Sequence, residues 1–207
     1  PGSAVGRLFP FNQGSVTMTY SIKFQKCVQF VLQEEGGFVN DPHDPGGATK
    51  YGISMRTYRS DIGDLDGDGD IDANDVKILP IERAIGIYHD HEWQEIRGEE
   101  LDPPLALFML DTAVNCGPSR AIKLLQKAGG LVEDGQFGPA TMVHAQRGPV
   151  IFNNLINARR EFYRGLKNFG RYGKGWMARV TRLDYCGVSI MREQLHSYLV
   201  TPTKVSP

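Results

Sequence analysis

The stretch "EEGGFVNDPHDPGGATKYGIS", residues 34–54, crowds carboxyl and hydroxyl groups into a segment too rich in Gly and Pro to be one regular element. Glu35 closes an amphipathic run, Asp44 sits between Pro42 and Pro45, and Thr49 follows the Gly46-Gly47 pair. Cleaving a glycosidic bond requires one carboxylic acid to protonate the leaving oxygen. A second carboxylate must activate water or support positive charge on the sugar. An apolar helix end can keep an acid protonated near neutral pH. Glu35 suits the first role. Asp44 suits the second, because the turn after Gly36-Gly37 can fold it back across the helix end, and the Thr49 hydroxyl could hold a water. The same residues also allow a plainer reading, with Asp44 capping a turn before Pro45 and Glu35 merely ending a helix.

The elements that must position these groups are mostly helical. Ser21 is an N-cap for a helix over about 22–35, with Phe24, Cys27, Val28, Val31 and Leu32 on its apolar stripe. Glu35 lies four residues after Val31, which continues the stripe and predicts a partly desolvated carboxyl. Glu34, turned about 100° away, is expected on the solvated side. Residues 37–53 read as a small β-hairpin or irregular turn, with extended pieces near Phe38-Val39 and Thr49–Ile53, and Ser54 as a cap for a short helix. Helices are expected over about 80–95, 103–115, 118–128, 138–146, 149–168 and 176–199. The breakers between them include Gly117-Pro118, Gly129-Gly130 and the glycines at 170–175.

A second chemistry is written in "DLDGDGDIDAND", residues 64–75. Its spacing matches the twelve-residue EF-hand loop, with Asp64, Asp66 and Asp68 at positions 1, 3 and 5 and Gly69 at the sharp turn. Asp70 offers its carbonyl at position 7, Ile71 is the apolar position 8, Asp72 is at 9 and Asp75 at 12. Hard oxygen donors at this spacing predict a structural Ca²⁺, with Mg²⁺ the weaker alternative; a solvated acidic turn is the bland alternative. Asp75 replaces the usual Glu and is one carbon shorter.

Other signals exclude more than they assign. "YHDHEW", residues 88–93, lacks the HExxH spacing of a zinc protease and reads as a helical surface with Trp93 in or near the core. Cys27, Cys116 and Cys186 have no CxxC spacing and read as free thiols. No apolar run approaches the ~20 residues that span a bilayer. Residues 116–207 hold 14 Lys+Arg against 5 Asp+Glu, a net +9, on a chain of net charge −1. That asymmetry points to an anionic polymer or surface. Arg159, Arg160, Arg164, Lys167, Arg171, Lys174, Arg179 and Arg182 could meet peptidoglycan carboxylates or outer-membrane phosphates, or form an ordinary solvated face. No motif supports nucleic-acid binding.

The 34–54 stretch resembles the signature of family 108 glycoside hydrolases, E-G-G-(Y/F)-x-N-D-P-x-D-P-G-G-x-T-x-x-G-I-(S/T), with Phe38 where Tyr is common. These are N-acetylmuramidases of phage endolysins and related bacterial proteins. The resemblance implies that Glu35 is the catalytic acid. The spacing is also similar to that of phage T4-type lysozymes, although the gap before Thr is one residue shorter here. That analogy implies Asp44 and Thr49 as partners. "LALFMLDTAVNCGPSRAIKLLQKA", "DGQFGPAT", "ARREFYRGL" and "GKGWMARV" resemble the predicted peptidoglycan-binding region of the family. The two resemblances cover roughly 21–190. Asn115 and Tyr51 are candidate sugar-binding residues, with Asn115, just before Gly117 at a helix end, equally readable as a helix cap; Trp176 and Tyr172 could stack on sugar or fill the core.

Together these readings predict a mainly α (α+β), lysozyme-like fold. A catalytic region over 18–100 would carry the hairpin and calcium loop, followed by a helical peptidoglycan-binding region over 101–200 and a tail over 201–207. Residues 1–17 read as a vector-derived extension before Met18. The expected activity is hydrolysis of the β-1,4 bond between N-acetylmuramic acid and N-acetylglucosamine, causing cell lysis by a monomer. The alternatives are a lytic transglycosylase or a non-catalytic cell-wall-binding or secretion-accessory protein. The resemblance further implies synthesis in a host cytoplasm without a signal peptide and holin-dependent release to the wall.

Overall fold

The computed structural model describes residues 20–41 and 46–200. Helix α1 spans Ile22–Glu34, and the Ser21 hydroxyl oxygen accepts from the Phe24 N–H, satisfying one orphan donor of the first turn. Phe24, Cys27, Val28 and Val31 are its buried stripe. The helix stops one residue earlier than the periodicity suggests. Glu35 is already extended, at φ −88° and ψ 147°, so it does not continue the stripe.

Past that exit Val39 bridges Thr49, and strands β1 (Thr49–Lys50) and β2 (Ile53–Ser54) form an antiparallel hairpin. Its two turn residues, Tyr51 and Gly52, both have positive φ, 52° and 76°. That pair is what a tight two-residue hairpin requires. Ser54 caps α2 (Met55–Ile62), as its sequence position suggests. The acidic loop then runs into α3 (Ala73–Ile78), a helix the sequence reading did not anticipate. Its start is a reciprocal capping box in which Asp72 and Asp75 serve the first-turn backbone.

Helix α4 (Ile81–Ile87) passes into a π-helical segment, Tyr88–Trp93. The wider π turn buries Glu92 beside Tyr88 and Trp93, which corrects the expectation of a helical surface there; Trp93 is in the core as expected. After a 3-10 turn at Gly98–Glu100 come α5 (Pro103–Cys116), α6 (Pro118–Ala128), α7 (Pro139–Ala145), α8 (Pro149–Arg164) and α9 (Phe169–Val200). Every residue of α5 from Pro104 to Ala113 is buried. It is the central rod, packed on α1 and the π segment as well as on α6, α8 and α9.

Helix α9 begins well before the expected position, because the glycines at 170–175 do not break it. Gly173 lies against the Phe169 ring, and Gly187 further along lies against the Phe152 ring, where a β-carbon would collide. These glycines serve close packing. The three cysteines are free thiols. Among the described residues no helix is long and apolar enough to cross a membrane.

Candidate active site

Because the chain turns extended at Glu35, its carboxyl leaves α1 and meets α9. Arg179 Nη1 donates to Glu35 Oε1 at 2.8 Å, and Arg179 Nε donates to Asp111 Oδ1 at 2.9 Å. Asp111, fully buried in the middle of α5, also accepts from Arg159 Nη1 of α8 at 2.5 Å. Arg159 Nε and Nη2 donate to the Tyr163 hydroxyl, which donates to Asn115 Oδ1 at 2.5 Å. Burial pushes the Asp111 carboxyl up, but the two guanidinium groups outweigh it and hold the group below its ordinary value. The charged chain therefore runs from the interior out to Glu35.

One turn along α9, Arg182 forms a two-pronged pair with Glu34, at 2.6 Å to each oxygen. The Glu34 side chain is 8% exposed and that of Glu35 17%. The expected contrast, a desolvated Glu35 beside a solvated Glu34, is thus corrected: α9 crosses the end of α1 and covers both. Of the basic residues read as contacts to an anionic polymer or surface or as a solvated face, Arg159 and Arg179 are buried, Arg182 pairs with Glu34, and Arg160 pairs with Asp184. Arg164, Lys167, Arg171 and Lys174 remain exposed.

The hairpin closes on Glu35 from the other side. A β-carbon on Gly52 would stand 2.9 Å from the Glu35 carboxyl carbon and Oε2 and would collide with the Tyr88 hydroxyl. That hydroxyl donates to the Tyr51 carbonyl at 2.5 Å, tying the π segment to the turn. Beside the turn opens a cleft of about 740 Å³, lined by Gly52, Ser54, Thr57 and Tyr58, by His91, Glu92 and Glu95, and by the α5–α6 corner at Val114 and Gly117. Tyr58 donates to Glu92 Oε1. Burial raises the Glu92 carboxyl to about 7, against smaller lowering effects of Tyr58 and His91. A separate groove of about 630 Å³ between α1 and α9, walled by Phe30, Leu107 and Ile190, does not include Gly52 or Glu35.

Asp44 lies outside the described residues. Thr49 stands on β1 with its hydroxyl donating to the Gly47 carbonyl at 3.3 Å. Tyr51 is half-buried in the turn, and exposed Asn115 has its oxygen engaged by Tyr163. Trp176 stacks on Tyr163, ring centroids 5.1 Å apart, with Tyr172 beside it. The sequence reading missed Arg179, Asp111, Tyr88 and Glu92 as members of this site. A buried Asp amid the apolar run "LALFMLDTAV" was the one local signal available.

The family model described as Glycosyl hydrolase 108 matches residues 28–117, which contain Glu35, the hairpin, the π segment and Asp111. Among solved structures, that of Brucella abortus SagA is similar over 82% of this chain and 95% of its own, at 34% identity and a TM-score of 0.70. The chain belongs to glycosyl hydrolase family 108. No curated protein matches it. As a member of that family it is a glycoside hydrolase with a mainly α, lysozyme-like fold.

In the acidic loop, the Asp64, Asp66 and Asp68 carboxylates gather within 4.8 Å of one another, and those of Asp70, Asp72 and Asp75 do likewise. Asp64 accepts from the Gly67 and Gly69 N–H groups, which coils the loop around position 1. Asp75 is buried and accepts from the N–H groups of Leu65 and Asp72. The Asp68 charge lifts the Asp70 carboxyl above its ordinary value.

The tight approach at Gly52 gives a direct test. Gly52→Ala forces a β-carbon into the Glu35 carboxyl and a side chain onto a left-handed backbone, which alone costs about 1 kcal/mol. The expected outcome is a lower melting temperature and at least about tenfold less glycan hydrolysis, with the helical circular dichroism retained. Unchanged activity would show that Glu35 does not work in this packed position.

Proposed function

We propose that the chain hydrolyses the β-1,4 bond between N-acetylmuramic acid and N-acetylglucosamine in peptidoglycan. The observation that carries the reading is the Glu35 carboxyl, held between Arg179 and the Gly52 turn where the cleft begins. Glu35 donates its proton to the leaving glycosidic oxygen. Arg179, which Asp111 also engages, then stabilises the carboxylate that forms. Asp44, on the connection between α1 and the hairpin, supplies the second carboxylate for water or for the oxocarbenium ion, with Thr49 as a water-holding neighbour. The exposed cations of 164–174 offer contacts to the anionic polymer.

Turbidity loss of purified Gram-negative peptidoglycan, with mass spectra of the products, tests this. Wild type is expected to lyse it and leave reducing muramic-acid ends, and Glu35→Gln to lose at least about 10²-fold in rate. Anhydro-muramic ends, or full lysis by Glu35→Gln, would overturn it.

We also propose that the 64–75 loop holds one structural Ca²⁺ through Asp64, Asp66, Asp68, Asp72 and Asp75 and the Asp70 carbonyl. Crowded hard oxygens and the mutual repulsion at Asp68–Asp70 support this, since a divalent cation relieves that repulsion. Calorimetry on EDTA-treated protein should show Ca²⁺ binding that Asp64→Ala with Asp68→Ala abolishes. No heat of binding at millimolar Ca²⁺ would contradict it.

A further inference from the structure

Of the Glu35 and Glu92 carboxyl groups, the first stands against the Gly52 turn and the second lines the cleft that opens there, and the proposed reaction uses only the first. The other, Glu92, is 3% exposed. It stands four residues after Tyr88, on the same face, within the π-helical segment. Its Oε1 accepts from Tyr58, and its Oε2 has no hydrogen-bond partner among the described residues. Helix α2 loses helical geometry at Tyr58 itself, at φ −121° and ψ 26°. Two separate departures from regular helix therefore meet at one hydrogen bond on the wall of the cleft. Regular helices on both sides would be the default, so the bond is built at a backbone cost.

The groups around Glu92 are mostly acidic or phenolic. From α2 come Tyr58 and Asp61, the latter engaged with His91 at 3.0 Å. From its own turn come His91, Asp90 and Tyr88, and Glu35 reaches the same cluster from the end of α1. Burial, with the Glu92 charge, raises the Tyr58 hydroxyl well above its ordinary value, so Tyr58 stays a phenol throughout the working range. Glu92 is the member of the pair that changes charge near neutrality.

We propose that Tyr58 is a sugar-binding hydroxyl of this cleft and that buried Glu92 is the residue that positions it. With its proton committed to Glu92, the Tyr58 oxygen presents lone pairs to the acetamido N–H of an N-acetylated amino sugar, a group that can only donate. Protonating Glu92 reverses the bond: the carboxyl O–H donates to Tyr58, the phenol proton turns to the cleft, and an acceptor becomes a donor. Glu92 titrates at about 7, so the acceptor arrangement holds above that pH and is lost as pH falls through it. The inference rests on the proposed glycan substrate.

The test is calorimetric affinity for soluble glycan strands of alternating N-acetylglucosamine and N-acetylmuramic acid at pH 6 and pH 8. Wild type is expected to bind more tightly at pH 8. Tyr58→Phe should weaken binding about 5–10-fold at pH 8, the loss of one hydrogen bond. Glu92→Gln should remove the difference between the two pH values, because its amide cannot titrate. Either variant alone suffices if the other fails to fold. Wild-type affinity in Tyr58→Phe, or a wild-type pH difference in Glu92→Gln, would overturn the inference. Should the parent protein still release reducing ends from peptidoglycan in that case, the glycosidase reading would stand and only the Tyr58–Glu92 role would fall. A parent that binds no glycan strand would overturn both.

Discussion

Arg179 shared between Asp111 and Glu35 is the interaction on which the site depends. A carboxylate buried in the middle of an apolar helix is costly, and Asp111 is tolerable only because two guanidinium groups answer it. Those groups come from α8 and α9, so the charge in α5 dictates where both helices lie. Arg179 has capacity left after Asp111 is satisfied, and it spends that capacity on Glu35. Buried ion pairs of this kind are weak sources of net stability compared with apolar packing. Their value here is placement: the acid at the end of α1 is aimed by a residue whose own position is fixed from the core.

The opposite wall works by absence of bulk. Gly52 lets the hairpin turn lie against the Glu35 carboxyl, and the Tyr88 hydroxyl holds that turn down through the Tyr51 carbonyl. Glu35 is thus confined between a cation and a bare backbone, with the cleft beginning at the same glycine. Tyr88 and Glu92 share a face of the π segment, so one segment both holds the hairpin turn and lines the cleft.

How much of this could be read from the sequence follows from the range of each interaction. The Ser21 cap, the apolar stripe of α1 up to Val31, the Ser54 cap and the helices from α5 to α7 rest on local signals within a few residues, and they are where the pattern places them, whereas α8 ends at Arg164, short of the expected 168. Glu35 was legible as a candidate acid from its position before two glycines. Its partner was not, because Arg179 lies 144 residues away and an arginine on a basic helix reads as a solvated charge. Glu92 was hidden for a different reason: a carboxyl between His91 and Trp93 reads as a solvated group, and nothing near it in sequence forecasts Tyr58. The glycines of α9 read as breakers because propensity says nothing about the rings of Phe169 and Phe152 that need the room. Glu34 was assigned to water because nothing near it in sequence forecasts Arg182.

The measurement that tests the account most directly is a double-mutant cycle on unfolding free energy, using wild type, Glu35→Gln, Arg179→Met and the double variant in urea. The account predicts a stabilising coupling of about 1–3 kcal/mol between the two positions. It also predicts that Arg179→Met is the more damaging single change, since it leaves buried Asp111 with Arg159 alone. Additive effects, with no coupling beyond error, would mean that Arg179 does not hold the acid in place and would contradict the account.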